Sequence, residues 1–232
     1  MTRHARKERG RMDILTAAAR LLAQRGFHGM SMRDLAAASG MNLANLYNYF
    51  TSKDELLFAL QTRAFETLIA ASEAAVTGAT DPEERLHAFI LNHVRYVAEH
   101  SDVMRVLVEE AGELPPEHRR VVRRLKERYF EIGHVLVEGV LSGGNGATRR
   151  DRDAAAIERA TYCVFGMLNW IYAWYQPRRH GSPLDVARTI HRTAMGGLVA
   201  RLPDHATLSM SERRAERLRV PSPVALPRRG SW

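Results

Sequence analysis

Apolar residues recur at helical spacing along most of the chain, and no segment alternates with the two-residue period of a strand. Ile14, Leu15, Ala18, Leu21 and Leu22 fall on one face of a helix predicted over 9–26, which Gly26 should end. Ser31 caps a short helix over 32–39, with Asp34 in a capping-box position and Leu35 and Ala36 inward. Gly40 breaks it, and Asn42 caps a helix over 43–50 in which Leu46 and Phe50 share the inner face. Ser52 and Glu55 cap a helix that runs to about 76. Asp81-Pro82-Glu83-Glu84 opens one to about 100, and Ser101-Asp102 starts a shorter one that ends near Gly112. Pro115-Pro116 begins a long helix to about Leu141, followed by a Gly-rich loop at 142–153. An apolar helix is expected over 154–175, a loop over 176–183 and a last helix over 184–202, stopped by Pro203. The fold class is therefore all-α, with about nine helices.

The short helix, turn and short helix at 32–50 is the arrangement of a helix-turn-helix, in which the second helix lies in the DNA major groove. The division expected is a basic N-terminal arm (1–11), a three-helix helix-turn-helix domain (12–56), a larger helical domain (57–202) and an Arg/Pro-rich tail (203–232), expected to be disordered.

Charge sharpens this picture. The 232 residues carry a net +8, of which +4 lies in residues 1–11, +1 in 12–63, none in 64–202 and +3 in 203–232. A basic arm beside a small domain points to a polyanion partner, although a solubilising tail would look the same. With 45% hydrophobic and 26% charged residues the composition is that of a globular protein. No apolar run reaches the 18 or so residues of a membrane span, and MTRHARKERGR is not the start of a secretory signal. The single Cys163 allows neither an intrachain disulfide nor, alone, a zinc site, which fits a reducing cytoplasm.

On the second helix of the pair Asn45, Asn48 and Tyr49 face outward with Ala44 beside them. Asn45 or Asn48 can pair with adenine, Ala44 can meet a thymine methyl, and Arg33 on the preceding helix can take guanine bidentately. Tyr47, Tyr49 and Lys53 suit phosphates, which set register without reading sequence. Tyr47, Tyr49 and Phe50 could equally be a small aromatic core.

Residues 31–57, SMRDLAAASGMNLANLYNYFTSKDELL, resemble the DNA-binding signature of TetR-family transcriptional regulators. The matching features are Arg33-Asp34-Leu35-Ala36, Ala38-Ser39-Gly40, Asn42, Leu46-Tyr47, Tyr49-Phe50, Ser52-Lys53 and Leu56, with Ile14-Leu15, Ala18, Leu22 and Gly26-Phe27 on the first helix. The resemblance implies a homodimeric repressor with a helical effector-binding and dimerisation domain, acting on a double-stranded DNA operator. It implies base contacts at Arg33, Ala44, Asn45 and Asn48, and phosphate contacts at Asn42, Tyr47, Tyr49 and Lys53. Leu43, where the family often has a polar residue, belongs to the same DNA-facing segment, and Ala44 stands where Gly is frequent. The arm Arg3–Arg11 could enter the minor groove.

Trp170, Trp174, Tyr175 and Pro177 resemble the Trp-x-x-x-Trp-Tyr-x-Pro ending of the penultimate helix in a branch of the family that answers to acyl-CoA thioesters. The alternative effector is a drug-like or other small lipophile, and Trp170, Trp174 and Tyr175 could equally pack a dimer bundle. An apolar pocket with few polar anchors is expected from Phe65, Phe89, His93, Tyr96, Met104, Leu107, Tyr129, Phe130, Phe165 and Trp170. Arg119, Arg120, Arg123, Arg124, Lys126 and Arg128 form either a phosphate-binding block or a solvated face paired with Glu117, Glu127 and Glu131. The dimer contact is expected through Ala187, Ile190, Ala194, Gly196, Gly197 and Leu198 on the last helix, against the 154–175 helix carrying a buried Cys163.

No P-loop, G-x-S-x-G, G-x-G-x-x-G or metal-ligand spacing is present, so catalytic residues, metals and cofactors are not expected. Pairs such as His87 with His93, or His191 with Glu158, arise by chance among ten His. A sequence-independent DNA coater is supported only by the basic ends.

Overall fold

The computed structural model describes residues 3–143 and 154–199. Its helices in chain order are α1 (Arg3–Gly29), α2 (Met32–Ala38), α3 (Leu43–Tyr47), α4 (Lys53–Thr77), α5 (Pro82–Glu99) and α6 (Ser101–Glu109). They continue with α7 (Pro116–Gly143), α8 (Ala154–Asn169), α9 (Ile171–Trp174), α10 (Pro177–His180) and α11 (Pro183–Val199). The all-α expectation holds among the described residues, and no helix there is long and apolar enough to cross a membrane.

Several boundaries differ from the sequence reading, each for a local reason. Residues 3–11 continue α1 rather than forming an arm, since Arg, Lys and Glu are good helix formers and the segment is tied to its neighbours. Glu8 lies 3.8 Å from Arg63 on α4, and Arg11 Nη1 donates to the Tyr49 carbonyl at 3.4 Å. Gly26 kinks α1 with φ +70°, and a last turn follows to Gly29. α3 stops at Tyr47, three residues early, with Asn48 as its C-cap. The apolar 154–175 segment breaks at Trp170 into α8 and α9, and Pro177 starts the single turn α10 inside the expected loop. The chain at 144–153 and 200–232, which holds most of the Gly-rich loop and the basic tail, lies outside the described residues.

The caps form as their residue types require. Asp34 N donates to Ser31 Oγ at 3.1 Å while Ser31 N donates to Asp34 Oδ2 at 2.9 Å, a complete capping box. Those Ser31 bonds hold the Asp34 carboxyl below its ordinary pKa. Asn45 N donates to Asn42 Oδ1 at 2.7 Å, and Glu55 N to Ser52 Oγ at 3.0 Å. Gly40 turns the chain between α2 and α3 with φ +64°.

One apolar core runs without interruption from Ile14, Leu35, Leu46 and Phe50 in the N-terminal helices to Leu86, Phe89, Val137 and Leu168 in the larger domain. α4 belongs to both, packing on α1, α5, α6 and α7, and α6 lies against α1. A stack of rings holds α5, α7 and α8 together: Phe165 stands 6.0 Å from Phe89, 5.8 Å from Tyr129 and 5.2 Å from Phe130, centre to centre. It can do so because α7 presents Gly133, where a β-carbon would come within 2.6 Å of the Phe165 ring. Gly133→Val is therefore expected to lower stability by about 2 kcal/mol and the melting temperature by roughly 4–8 °C. A variant that melts like the parent would show that α7 and α8 are not so closely packed.

α11 lays Ala187, Ile190 and Ala194 into the chain's own core, chiefly on α5. This corrects their assignment to a dimer contact: they sit on the inward stripe of an amphipathic helix, and only Gly196 and Gly197 of that set are exposed. The side chain of Leu198 lies outside the described residues. Cys163 is also corrected, being exposed on the outer face of α8.

Candidate nucleic-acid interface and effector core

α3 has five residues, too few to hold a helix by its own hydrogen bonds, so its position comes from what it buries. Leu46 and Phe50 are wholly buried, and the Arg11 guanidinium lies 4.4 Å over the Phe50 ring. That leaves Asn42, Ala44, Asn45, Tyr47 and Asn48 exposed on one continuous surface, with Arg33 exposed on α2. Leu43 is half-buried against the core. Arg6, Lys7 and Arg9 are exposed on the first turns of α1.

Two residues expected at phosphates are placed differently. Tyr49 is half-buried, its hydroxyl so close to α1 that a β-carbon on Gly10 would meet it at 2.7 Å. Lys53 turns inward: its Nζ donates to the Phe27 carbonyl at 2.6 Å and the Met30 carbonyl at 3.1 Å, and lies 4.3 Å over the Phe27 ring. The cation at the start of α4 thus satisfies carbonyls freed where α1 ends, which locks α1, the α1–α2 connection and α4 together. Lys53→Met, which keeps the stem and removes the ammonium, should destabilise the protein by about 1–3 kcal/mol. Its DNA affinity should keep the parent's dependence on salt. A salt slope shallower by about one phosphate contact, with unchanged melting, would instead put Lys53 on the DNA.

In the larger domain Phe65, Phe89, His93, Met104, Leu107, Tyr129 and Phe165 are buried, and Tyr96 and Phe130 are half-buried. Trp170 departs from this group: it is 60% exposed, because it falls on the outer stripe of α8 with Tyr162, Cys163 and Gly166, opposite the buried Val164, Phe165 and Leu168. Within the buried group the polar atoms find each other. His93 Nδ1 and the Tyr129 hydroxyl share a hydrogen bond of 2.9 Å, and Asn92 Nδ2 donates to Ser72 Oγ at 2.9 Å. Burial depresses the His93 imidazole to about 4, opposed in part by the Leu168 backbone. Burial likewise raises the Tyr129 phenol, with the Ser72 hydroxyl pulling it back, and pushes Tyr96 up to about 12. Ser72 and Asn92 were not singled out from the sequence, where their only signal is a polar residue at an inward helical position.

Three of the six basic residues on the Arg-rich face of α7 hold protein partners. Arg119 donates to the Gly112 carbonyl at 2.9 Å and to that of Leu114 at 2.8 Å; Arg123 pairs with Glu127 at 3.4 Å, and Arg128 with Glu73 on α4 at 2.7 Å. The described histidines form no such pair as a site. His87 abuts His191, ring centres 5.0 Å apart, and no group of three or more metal-binding side chains occurs among the described residues.

Contacts between the two parts run through α6 and the start of α7. Gln61 Nε2 donates to the Glu110 carbonyl at 3.2 Å, and His28 lies 2.8 Å from Glu113. His118 stacks on Phe58 with ring centres 4.1 Å apart. A cleft of about 380 Å³ between α1, α4 and α7 is lined by Arg11, Leu15, Phe58, Thr62, Arg63 and His118, among others. The sequence carries no signal for these pairings, which join residues up to 85 positions apart.

Two family models match this arrangement: bacterial regulatory proteins of the tetR family over residues 14–60, and the tetracyclin repressor-like C-terminal domain over residues 79–198. The HTH-type transcriptional repressor KstR2 of Mycobacterium tuberculosis is 27% identical over 194 residues, covering 81% of this chain and 92% of the relative. The TetR-family regulator PfmR of Thermus thermophilus superposes with a TM-score of 0.69 at 32% identity, over 79% of this chain and 97% of the other. AibR, solved in complex with isovaleryl coenzyme A and operator DNA, superposes with a TM-score of 0.67 at 26% identity, over 79% and 97%. These regulators bind DNA and are not enzymes. The paired models, covering the helix-turn-helix and the helical domain alike, place this chain in the TetR family of bacterial transcriptional regulators.

Proposed function

We propose that the chain is a homodimeric repressor that binds a palindromic operator and is released by a small lipophilic effector, an acyl-CoA in the first instance. The observation that carries this reading is the single exposed surface made by Asn42, Ala44, Asn45, Tyr47 and Asn48 with Arg33, on a helix held from behind by Leu46 and Phe50. Asn45, Asn48 and Arg33 supply adenine- and guanine-reading groups, and Ala44 leaves room for a thymine methyl. Asn42 and Tyr47 supply phosphate contacts, with Arg6, Lys7 and Arg9 adding charge.

Dimerisation is supported by the exposed Tyr162 and Trp170, with Cys163, on the outer side of α8 and the turn after it, large rings that a monomer rarely leaves in water. A two-fold pair sets its recognition helices about 34 Å apart, one turn of DNA. Effector binding among α4, α5, α7 and α8 would shift α4, which begins against α1, and so change that spacing. KstR2 is named a repressor and AibR was crystallised with an acyl-CoA, which supports acyl-CoA over a drug-like effector.

The test is selection of bound sequences from random duplex DNA. A palindrome with half-sites about one turn apart is expected, and Asn45→Ala should relax one position of each half-site by about 1–3 kcal/mol. Recovery of DNA with no sequence preference would leave a non-specific coater and end the proposal.

A further inference from the structure

The interior of the larger domain holds an unusual set of polar groups for a ligand site, and their charge state limits what can enter. Among the described residues the buried polar side chains are Gln61, Ser72, His93 and Thr161, and no Arg, Lys, Asp or Glu joins them. Gln61 is taken up by the Glu110 carbonyl, and Thr161 by the Ile157 carbonyl at 2.8 Å. Ser72 accepts from Asn92. His93 is different. It is 1% exposed and bonds Tyr129 through Nδ1, while its Nε2 has no hydrogen-bond partner. When Tyr129 donates to Nδ1, the neutral imidazole carries its proton on Nε2, and that donor makes no well-formed hydrogen bond, the Leu168 backbone being the polar group beside the ring.

The surroundings are rings. Phe89 lies 5.4 Å from Tyr129, and Phe165 touches Phe89, Tyr129 and Phe130 while leaning on Gly133. Phe165 sits on α8, the helix whose other face carries the exposed Tyr162, so displacing that ring also moves the surface read above as the dimer contact.

We propose that His93 and Tyr129 are the specificity-determining anchor of the effector site, taking an uncharged hydrogen-bonding group (a carbonyl or hydroxyl) on an apolar body and rejecting a carboxylate. The inference rests on the regulatory reading above. An uncharged carbonyl entering beside Phe165 accepts from His93 and keeps its hydrogen bonding. A carboxylate there meets no cation, and an unpaired buried charge is far more unfavourable than a bonded dipole. The charged part of any larger effector must therefore remain at the surface.

The experiment uses four probes of one chain length: octan-2-one, octan-1-ol, octane and octanoate. Each is added to the full-length wild-type protein at about pH 8, where octanoate is ionised. Binding is read from the rise in melting temperature and from the change in affinity for the selected palindrome. The ketone and alcohol should bind at least about tenfold more tightly than octanoate and should weaken DNA binding. Tyr129→Phe and His93→Leu should each shrink the preference for ketone over octane by about five- to tenfold. A purely structural role would lower the melting temperature of the free protein and leave that preference unchanged. Octanoate binding as well as the ketone would overturn the proposal, as would variants that keep the full preference. So would the absence of any probe binding in protein that still holds its palindrome; the wild-type comparison decides even if a variant does not fold. Failure of the wild-type protein to select any DNA would instead overturn the regulatory reading, whatever the probes do.

Discussion

Replacing Phe50 by alanine should destabilise the protein by about 3–5 kcal/mol and remove operator binding at temperatures where the larger domain is still folded. The size follows from two facts. Phe50 is fully buried, so its deletion loses the transfer free energy of a whole ring and leaves a cavity. It is also one of two wholly buried anchors of a recognition helix only five residues long, which cannot repack around the loss. The Arg11 guanidinium over the ring and its bond to the Tyr49 carbonyl go with it, so the first turns of α1 loosen too. At this chain length the melting temperature should fall by roughly 6–20 °C. Amide exchange offers the sharper reading: protection should collapse in α2 and α3 before it does in α5 and α7. Operator affinity within a factor of two of wild type would show that α3 is held by something other than its buried face.

Acid should weaken the fold through His93. In the native state the imidazole stays neutral down to about 4 because it is buried, whereas in the unfolded chain it titrates near its ordinary value of 6.5. Between those values the unfolded state binds the extra proton, so stability is whole above about pH 7 and is lost as the pH falls. The loss reaches about 2 kcal/mol near pH 5 and about 3 kcal/mol near pH 4, where the native imidazole begins to charge and the slope levels off. His87, depressed by burial and then by His191 and Arg188, adds in the same direction. Denaturant midpoints measured from pH 8 to pH 4 should show this decline, and His93→Leu should flatten most of it. A variant profile that superimposes on the parent's would show that the His93 ring is hydrated and ordinary.

Phe50 and Lys53 show how far the sequence could be read. The role of Phe50 was visible because a helix-turn-helix is a local object. Its caps at Ser31, Asn42 and Ser52, its Gly40 turn and its i, i+4 pair Leu46–Phe50 all lie within some twenty residues, where side-chain chemistry and helical period dictate geometry. Lys53 stands in the same segment, yet its side chain turns inward. A cation at a helix start reads as a phosphate contact until the carbonyls of Phe27 and Met30, more than twenty residues away, are folded beneath it. Trp170 differs: a large ring on an apolar stretch reads as core, yet its spacing from Tyr162 and Gly166 already puts it on the outer stripe of α8.

What the sequence alone determined is therefore what neighbours within a few turns set: the all-α class, the order of the longer helices, and the outward face of α3 opposite Leu46 and Phe50. The tertiary structure alone decided which aromatics meet, that Ala187, Ile190 and Ala194 face inward, and that His93 is neutral and bonded to Tyr129 from another helix. Helical periodicity says that a face is buried but not against what. The partner is chosen by packing between elements distant in the chain, where shape and desolvation, rather than local propensity, select one arrangement.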